Sequence, residues 1–260
     1  MTTQASPFGA RLRLWRRHRG LSQLTLAGRV GSTGRHISFL ETGRSRPTQQ
    51  MVLRLAKVLD IDLREANQLL NAAGLPAALP AEPLDGADLA PYRAALDRLL
   101  AVHEPYPGMA LDRHWTVIAA NPTGRALFGP HVIGSNFVRD ALTNPATARL
   151  VANWPEVAWA GLDRLRDQQQ RDPFDPQLAE LVALAAAAVA GMPRPDATDQ
   201  AILVCPWFRV GDQIIRTIAM VAHFDHPAEI TLDELRVELM YPMDATAERF
   251  FRARAERPAG

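Results

Sequence analysis

Leu21-Ser22-Gln23-Leu24-Thr25-Leu26-Ala27-Gly28-Arg29-Val30-Gly31-Ser32-Thr33-Gly34-Arg35-His36-Ile37-Ser38-Phe39-Leu40-Glu41-Thr42-Gly43 decides the fold of the N-terminal part of this chain. It predicts two short helices joined by a sharp turn. Ser22 and Thr33 are N-cap candidates, because their side-chain oxygens accept first-turn N–H groups. Gly31 permits the turn, and Gly43 takes a left-handed conformation after the second helix. That helix turns Ile37 and Leu40 inward and Arg35 and His36 outward. A short helix projecting such side chains fits the DNA major groove.

Working outward, Pro7 to His18 reads as a helix with Leu12 and Trp15 inward, ringed by Arg11, Arg13, Arg16 and Arg17, and ended by Gly20. Pro47-Thr48 opens a fourth helix, with Met51, Leu55, Val58 and Leu59 at helical spacing. Asp62 caps a fifth, with Ala66, Leu69, Leu70 and Ala73 inward and Gly74-Leu75-Pro76 as its stop. Residues 1–75 are therefore expected to form an all-α, five-helix DNA-binding domain. They hold 12 Lys and Arg against 4 Asp and Glu, whereas the rest holds 17 against 24. The polyanion-binding half is thus the first. All these cations but Lys57 are Arg, the side chain that pairs bidentately with phosphate and guanine.

These residues resemble the XRE/Cro-type helix-turn-helix family over about residues 9–75. The motif positions are Gly20-Leu21-Ser22-Gln23, Ala27, Gly31, Ile37-Ser38, Leu40-Glu41-Thr42-Gly43 and Arg44-Ser45-Arg46-Pro47. The resemblance implies that Gln23 touches a phosphate and braces the recognition helix. Thr33 caps that helix beside the backbone N–H groups that meet phosphate. Gly34, Arg35, His36, Ser38 and Phe39 occupy its DNA-facing positions. Arg35, His36 and Phe39 are the base-edge candidates, whereas Gly34 has no side chain to read with. Arg44 and Arg46 contact phosphate, and Arg16 pairs with Glu41 as scaffolding.

Residues 76–91, with Pro76, Pro80, Pro83, Pro91 and Asp85-Gly86, read as a linker. Residues 92–260 read as an α+β domain. A helix over 92–104 places Leu96, Leu99 and Leu100 on one face. Met109–Asp112 and Trp115–Ala120 form a hairpin turned at Asp112-Arg113-His114. Asn121-Pro122 starts a helix through Phe128, and helices dominate from Asn144 to Ala190. Ala201–Val210 and Gln213–Phe224 form a second hairpin. Leu235–Tyr241 reads as a half-buried strand, its Leu, Val and Tyr inward and its Arg, Glu and Met outward. Asp244 caps a last helix carrying Phe250 and Phe251. The acidic stretch Asp163–Asp172 reads as a solvated helix face. The whole is a multidomain chain, helical first and α+β second.

No nucleophile elbow, phosphate loop or dinucleotide fingerprint stands out, so no enzyme is expected. Cys205 is alone, which excludes an internal disulfide and a cysteine-based zinc site. His223-Phe224-Asp225-His226 is the best metal-like cluster and reads as a hairpin-end surface, so no metal is expected. Met1-Thr2-Thr3-Gln4 lacks a basic-then-apolar signal pattern, and Leu181–Pro193 is too short to span a bilayer. A cytoplasmic protein without membrane contact is expected.

The second domain also concentrates aromatic residues. The segments His103-Glu104-Pro105-Tyr106-Pro107, Leu111-Asp112-Arg113-His114-Trp115, Ala119-Ala120-Asn121-Pro122, Asn136-Phe137-Val138-Arg139, Asn153-Trp154-Pro155, Leu165-Arg166 and Ile230-Thr231-Leu232-Asp233-Glu234-Leu235 resemble the MmyB-like, ligand-binding regulators. The resemblance covers about residues 92–252. The strands and helices read as a mixed sheet with helices on one face, an arrangement that often encloses an apolar cavity, and the resemblance implies a PAS-type sheet with an apolar pocket for a fatty-acyl or similar lipophilic effector. No other cofactor is expected. Trp115 and Asn121 are placed near the mouth of the sheet, and Phe128, Phe137, Trp154 and Trp159 on covering helices. Trp207 and Phe208 point to opposite faces of one strand, so only one of them lines the pocket. The implied protein is a homodimeric regulator that binds double-stranded DNA at a two-fold operator. The competing reading keeps the DNA-binding domain and makes the second domain a dimerisation or protein-interaction module without a ligand.

Overall fold

The computed structural model describes residues 6–195, 204–225 and 227–255. The chain divides into two compact units, Met1–Ala81 with Ala228–Ile230, and Glu82–Pro227 with Thr231–Gly260.

The first unit contains α1 (Pro7–His18), α2 (Gln23–Arg29), α3 (Gly34–Thr42), α4 (Gln49–Val58) and α5 (Leu63–Ala72). Each helix starts on a side-chain cap: Ser6, Ser22, Thr33, Thr48 and Asp62 accept backbone N–H bonds from Gly9, Thr25, His36, Met51 and Glu65. Such a cap satisfies an otherwise orphaned donor and is worth about 1 kcal/mol. Phe8, Leu12, Trp15, Leu26, Ala27, Ile37 and Leu40 fill the core between the first three helices, and Val52, Leu55, Leu69 and Leu70 extend it. Gly31 and Gly43 turn the chain at φ +65° and +74°.

Gly9 sets how closely α1 approaches α3. A Cβ there would lie 2.5 Å from the Glu41 carbonyl oxygen and 2.7 Å from that of Leu40. No local pattern around Gly9 signals this contact.

The second unit opens with α6 (Ala90–Val102), β1 (Gly108–Leu111), β2 (Val117–Ala120), α7 (Pro122–Phe128), α8 (Phe137–Thr143) and α9 (Thr147–Leu150). It continues with α10 (Trp154–Arg171), α11 (Pro176–Ala188), β3 (Trp207–Val210), β4 (Gln213–Ala222), α12 (Ile230–Glu234), β5 (Arg236–Pro242) and α13 (Ala245–Ala255). The strands form one sheet in the order β2-β1-β5-β4-β3, antiparallel at every pairing.

Several expectations need correction. The sheet is antiparallel, not mixed, and both its faces are covered at β1 and β5, whereas one face of β4 is exposed at Ile214, Ile218 and Met220. Leu96 and Leu100 of α6 pack on Ala110, Val237 and Leu239. Leu162, Leu165, Leu181 and Ala185 of α10 and α11 pack with Met109, Leu111 and Val117. Double cover explains why β1 is buried along its length and why β5 does not alternate: Glu238 and Met240 are buried with Val237 and Leu239. Leu99 is exposed, because adjacent positions on a helix diverge by a hundred degrees and Leu100 takes the inward place. The second hairpin begins only at Trp207; Val204–Pro206 is not strand, and Ala201–Leu203 lies outside the described residues. Trp115 sits in the β1–β2 turn, not in β2, at φ +67°. The Asp112 carboxylate accepts from the N–H groups of His114 and Thr116 and closes that turn.

Gly9→Ala is expected to cost about 1–3 kcal/mol in thermal or denaturant unfolding of the full chain, as overpacking does. Gly34→Ala, where a Cβ meets nothing nearer than 3.7 Å, is expected to leave stability unchanged or raise it by up to about 1 kcal/mol.

Candidate DNA-binding surface and ligand domain

The DNA-facing candidates are built on a buried charge. Glu41 ends α3 with its side chain fully buried. Arg16 donates to it from Nε at 2.5 Å and from Nη2 at 3.0 Å, Gln23 from Nε2 at 2.8 Å, and Arg13 from Nε at 3.4 Å. Arg16 also donates to the Leu21 carbonyl at 2.8 Å. One carboxylate thus joins α1, the start of α2 and the end of α3. Burial alone would raise its pKa; the hydrogen bonds from Arg16 and Gln23 and the nearby Arg charges outweigh that and hold it below the ordinary carboxylate range.

Other basic residues are also spent inside the domain. Arg11 grips Glu65 at 2.7 and 2.8 Å. Arg19 donates to the carbonyls of Leu59 and Asp60, and Arg54 to that of Val30. Arg35, Arg44 and Arg46 are exposed. Arg35 and Arg44 lie 5.1 and 5.9 Å from the centroid of the Phe39 ring, so half-buried Phe39 orders both guanidinium groups. His36 is half-buried on the same helix. Ser38 is half-buried too, and its carbonyl accepts the Thr42 hydroxyl at 2.8 Å. The Thr33 hydroxyl is committed to the His36 N–H as the cap of α3. Gln23 has its amide NH₂ on Glu41 near the end of α3.

In the second unit the aromatic residues expected around a pocket divide into groups. Trp115, Phe128, Phe137, Trp154 and Trp159 gather on the cluster between the sheet and α10–α11. Phe128 meets Phe137 edge to face at 5.2 Å and Phe208 at 6.1 Å. Phe208 otherwise packs with Ile215, Ala247 and Phe251. Trp207 points to the other face, where Arg216 covers its ring at 5.0 Å. Asn121 is not a pocket residue. It is 3% exposed, accepts from the N–H groups of Gly108 and Gly124, and donates to the carbonyls of Leu100 and Tyr106. Its polar atoms are committed to caps and strand ends, leaving none for a ligand.

Trp115 is held from several sides. Its indole N–H donates to Gln168 at 3.0 Å. Arg236 and Arg164 lie over its ring at 4.4 and 5.6 Å. A bulky residue at positive φ persists only where its surroundings fix it. Next to it, Arg113 binds Asp172, Asp175 at 2.8 Å and Glu234 at 3.0 Å, and His114 Nε2 meets Asp175 at 2.7 Å. Asp172 is therefore buried and paired, not part of a solvated face, because the β1–β2 turn reaches the α10–α11 connection. This knot of charge escaped the sequence reading; its partners are far apart along the chain.

A cavity of about 330 Å³ lies along α10, lined by Glu156, Trp159, Asp163, Arg164, Asp167 and Val204. Its lining, which also takes in Ala160 and Pro195, mixes four charged residues with four apolar ones, and Trp159 alone comes from the expected pocket set. The Trp159 indole N–H is buried without a hydrogen-bond partner among the described residues. Cys205 is buried and accepts from the Ala219 N–H; burial pushes its thiol pKa up. His223 and Asp225 follow β4 at the surface, and His226 lies outside the described residues. Among the described residues no helix is long and apolar enough to cross a membrane.

A capped helical pair with an exposed basic helix, followed by an α+β unit, is the frame of a two-domain protein, and the family matches make it a transcription regulator with a DNA-binding and a ligand-binding domain. Residues 7–70 match the model of a helix-turn-helix domain, and residues 92–253 match that of the MmyB-like transcription regulator ligand binding domain. The chain belongs to the MmyB-like transcription regulators. Neither family is an enzyme family. No curated protein matches the chain.

The depressed pKa of Glu41 links stability to pH. Its stabilisation is complete above the ordinary carboxylate range and is lost as pH falls through the folded-state value. Glu41→Gln is expected to slacken hydrogen-exchange protection of α1 and α3 at neutral pH and to flatten its loss on acidification. Arg16→Ala, which leaves the buried charge short of its main partner, is expected to cost about 3 kcal/mol.

Proposed function

We propose that the chain is a cytoplasmic, sequence-specific transcriptional regulator that binds a two-fold operator as a homodimer, and that its second domain senses a small apolar molecule of the fatty-acyl kind. The carrying observation is the division of labour among the arginines. Arg11, Arg16, Arg19 and Arg54 hold the domain together. Arg35 is exposed on α3, with Arg44 and Arg46 just beyond its end. In this reading Arg35, His36 and Phe39 meet base edges. Arg44, Arg46 and the N-terminus of α3 at Thr33 and Gly34 meet phosphate, with Gln23 bracing. Dimerisation follows from size, since one short helix reads few bases and two half-sites supply the remainder.

The apolar-effector reading draws on the gathering of Phe128, Phe137, Trp154 and Trp159 on one cluster. Ligand binding would act by favouring one of two domain states for which it has different affinity. The edge-to-face packing of Phe128 with Phe137 and Phe208 favours the second reading, a filled core that serves dimerisation alone.

Arg35→Ala is expected to weaken specific binding by about 1–3 kcal/mol and to relax one base position. Arg44→Ala is expected to weaken binding to all sequences and to lower the slope of log K against log salt by about one. Equal effects of both variants on specific and random duplexes would remove Arg35 from the reading set. Native mass spectrometry of the full chain is expected to show a lipid-sized adduct, and a panel of acyl chains to raise the melting temperature. A bare mass with no thermal shift would leave the dimerisation reading.

A further inference from the structure

Leu24 is 75% exposed, although it stands two positions before the core residue Leu26 on α2. A single exposed leucine is ordinary on a protein surface; its neighbours here are not. A Cβ on Gly34 would lie 3.7 Å from Leu24 Cα and 3.8 Å from its Cδ1. The leucine side chain therefore runs alongside the first residue of α3, at the one position of that helix without a side chain. The next residue is exposed Arg35, followed by half-buried His36. An alkyl group thus lies at the leading end of a surface whose other apolar member is Phe39, among cations and hydrogen-bonding groups.

We infer that Leu24 reads the 5-methyl group of a thymine in the major groove, opposite the start of α3, in place of the side chain that Gly34 lacks. The inference rests on α3 being the recognition helix. Thymine C5-methyl is the apolar group that base edges offer in that groove. A branched alkyl side chain makes no hydrogen bond there, so its gain comes from removing that methyl and itself from water together. Gly34 serves the contact by leaving the space beside Leu24 Cδ1 open. Specificity at this base pair then comes from α2, the helix before the reading helix.

The test starts from an operator selected out of random duplexes with the full chain. Each thymine is then replaced singly by uracil, which removes only the methyl. For the wild-type chain, one thymine in each half-site is expected to show an affinity loss of about fourfold on replacement, the worth of one buried methyl. In Leu24→Ala that thymine becomes insensitive, while any thymine that meets Phe39 keeps its penalty. The salt slope stays unchanged, since no phosphate contact is lost. Leu24→Ile retains the sensitivity. A Leu24→Ala chain with the full uracil penalty at every thymine, or a wild-type chain with no penalty anywhere, overturns the role of Leu24 and leaves the recognition helix standing. Failure to enrich any sequence overturns both.

Discussion

The carboxylate of Glu41 is the constraint on which the DNA-binding unit depends. It is fully buried, so it demands partners, and it takes them from α1 and α2 through Arg16, Arg13 and Gln23. A buried ion pair is weak evidence of stability, because desolvation offsets most of the attraction. What it does here is geometric. A shift of α3 along its axis would break hydrogen bonds that water cannot replace. Gly9 adds a steric limit on the same contact, since it lets the α1 backbone rest on the last carbonyls of α3. The orientation of the exposed face of α3 is therefore set from behind by one charge and one missing methyl.

The second unit uses a related device. Arg113, in the turn between β1 and β2, meets carboxylates from the end of α10, the start of α11 and the end of α12. Asp175 serves twice, capping α11 and pairing with Arg113 and His114. Burial would raise its pKa, but the His114 hydrogen bond and the surrounding donors hold it low. Trp115 is locked beside this cluster in a backbone conformation that costs a bulky residue energy. The sheet and its covering helices are thus tied by charge at one corner and by apolar packing elsewhere.

The first unit was legible in the sequence because its signals are local. Ser22, Thr33, Thr48 and Asp62 cap helices within three residues of themselves, and Gly31 and Gly43 turn the chain where they stand. Of its starts, only the Ser6 cap went unread. The pairing of Arg16 with Glu41 was legible through family resemblance alone, as nothing local specifies it. In the second unit the helices and most strands were legible, but their environment was not. Cover of β5 on both faces buried Glu238, and the reach of the Arg113 turn buried Asp172. Asn121 carries the chemistry of a polar pocket residue, yet its four hydrogen bonds close a strand end and a helix start. Each of these outcomes turns on a partner more than ten residues away, which periodicity does not report.

Phe39 lies under two guanidinium groups at once, those of Arg35 and Arg44. One arginine is the candidate for reading a base, the other for gripping the backbone. A shared ring makes their conformational freedom a common property: ordering one lowers the entropy left to be lost by the other. Discrimination and general grip are then not independent traits of this surface. A change at residue 39 would move both together, so a descendant acquiring a new operator through that position would also inherit a different tolerance for ionic strength.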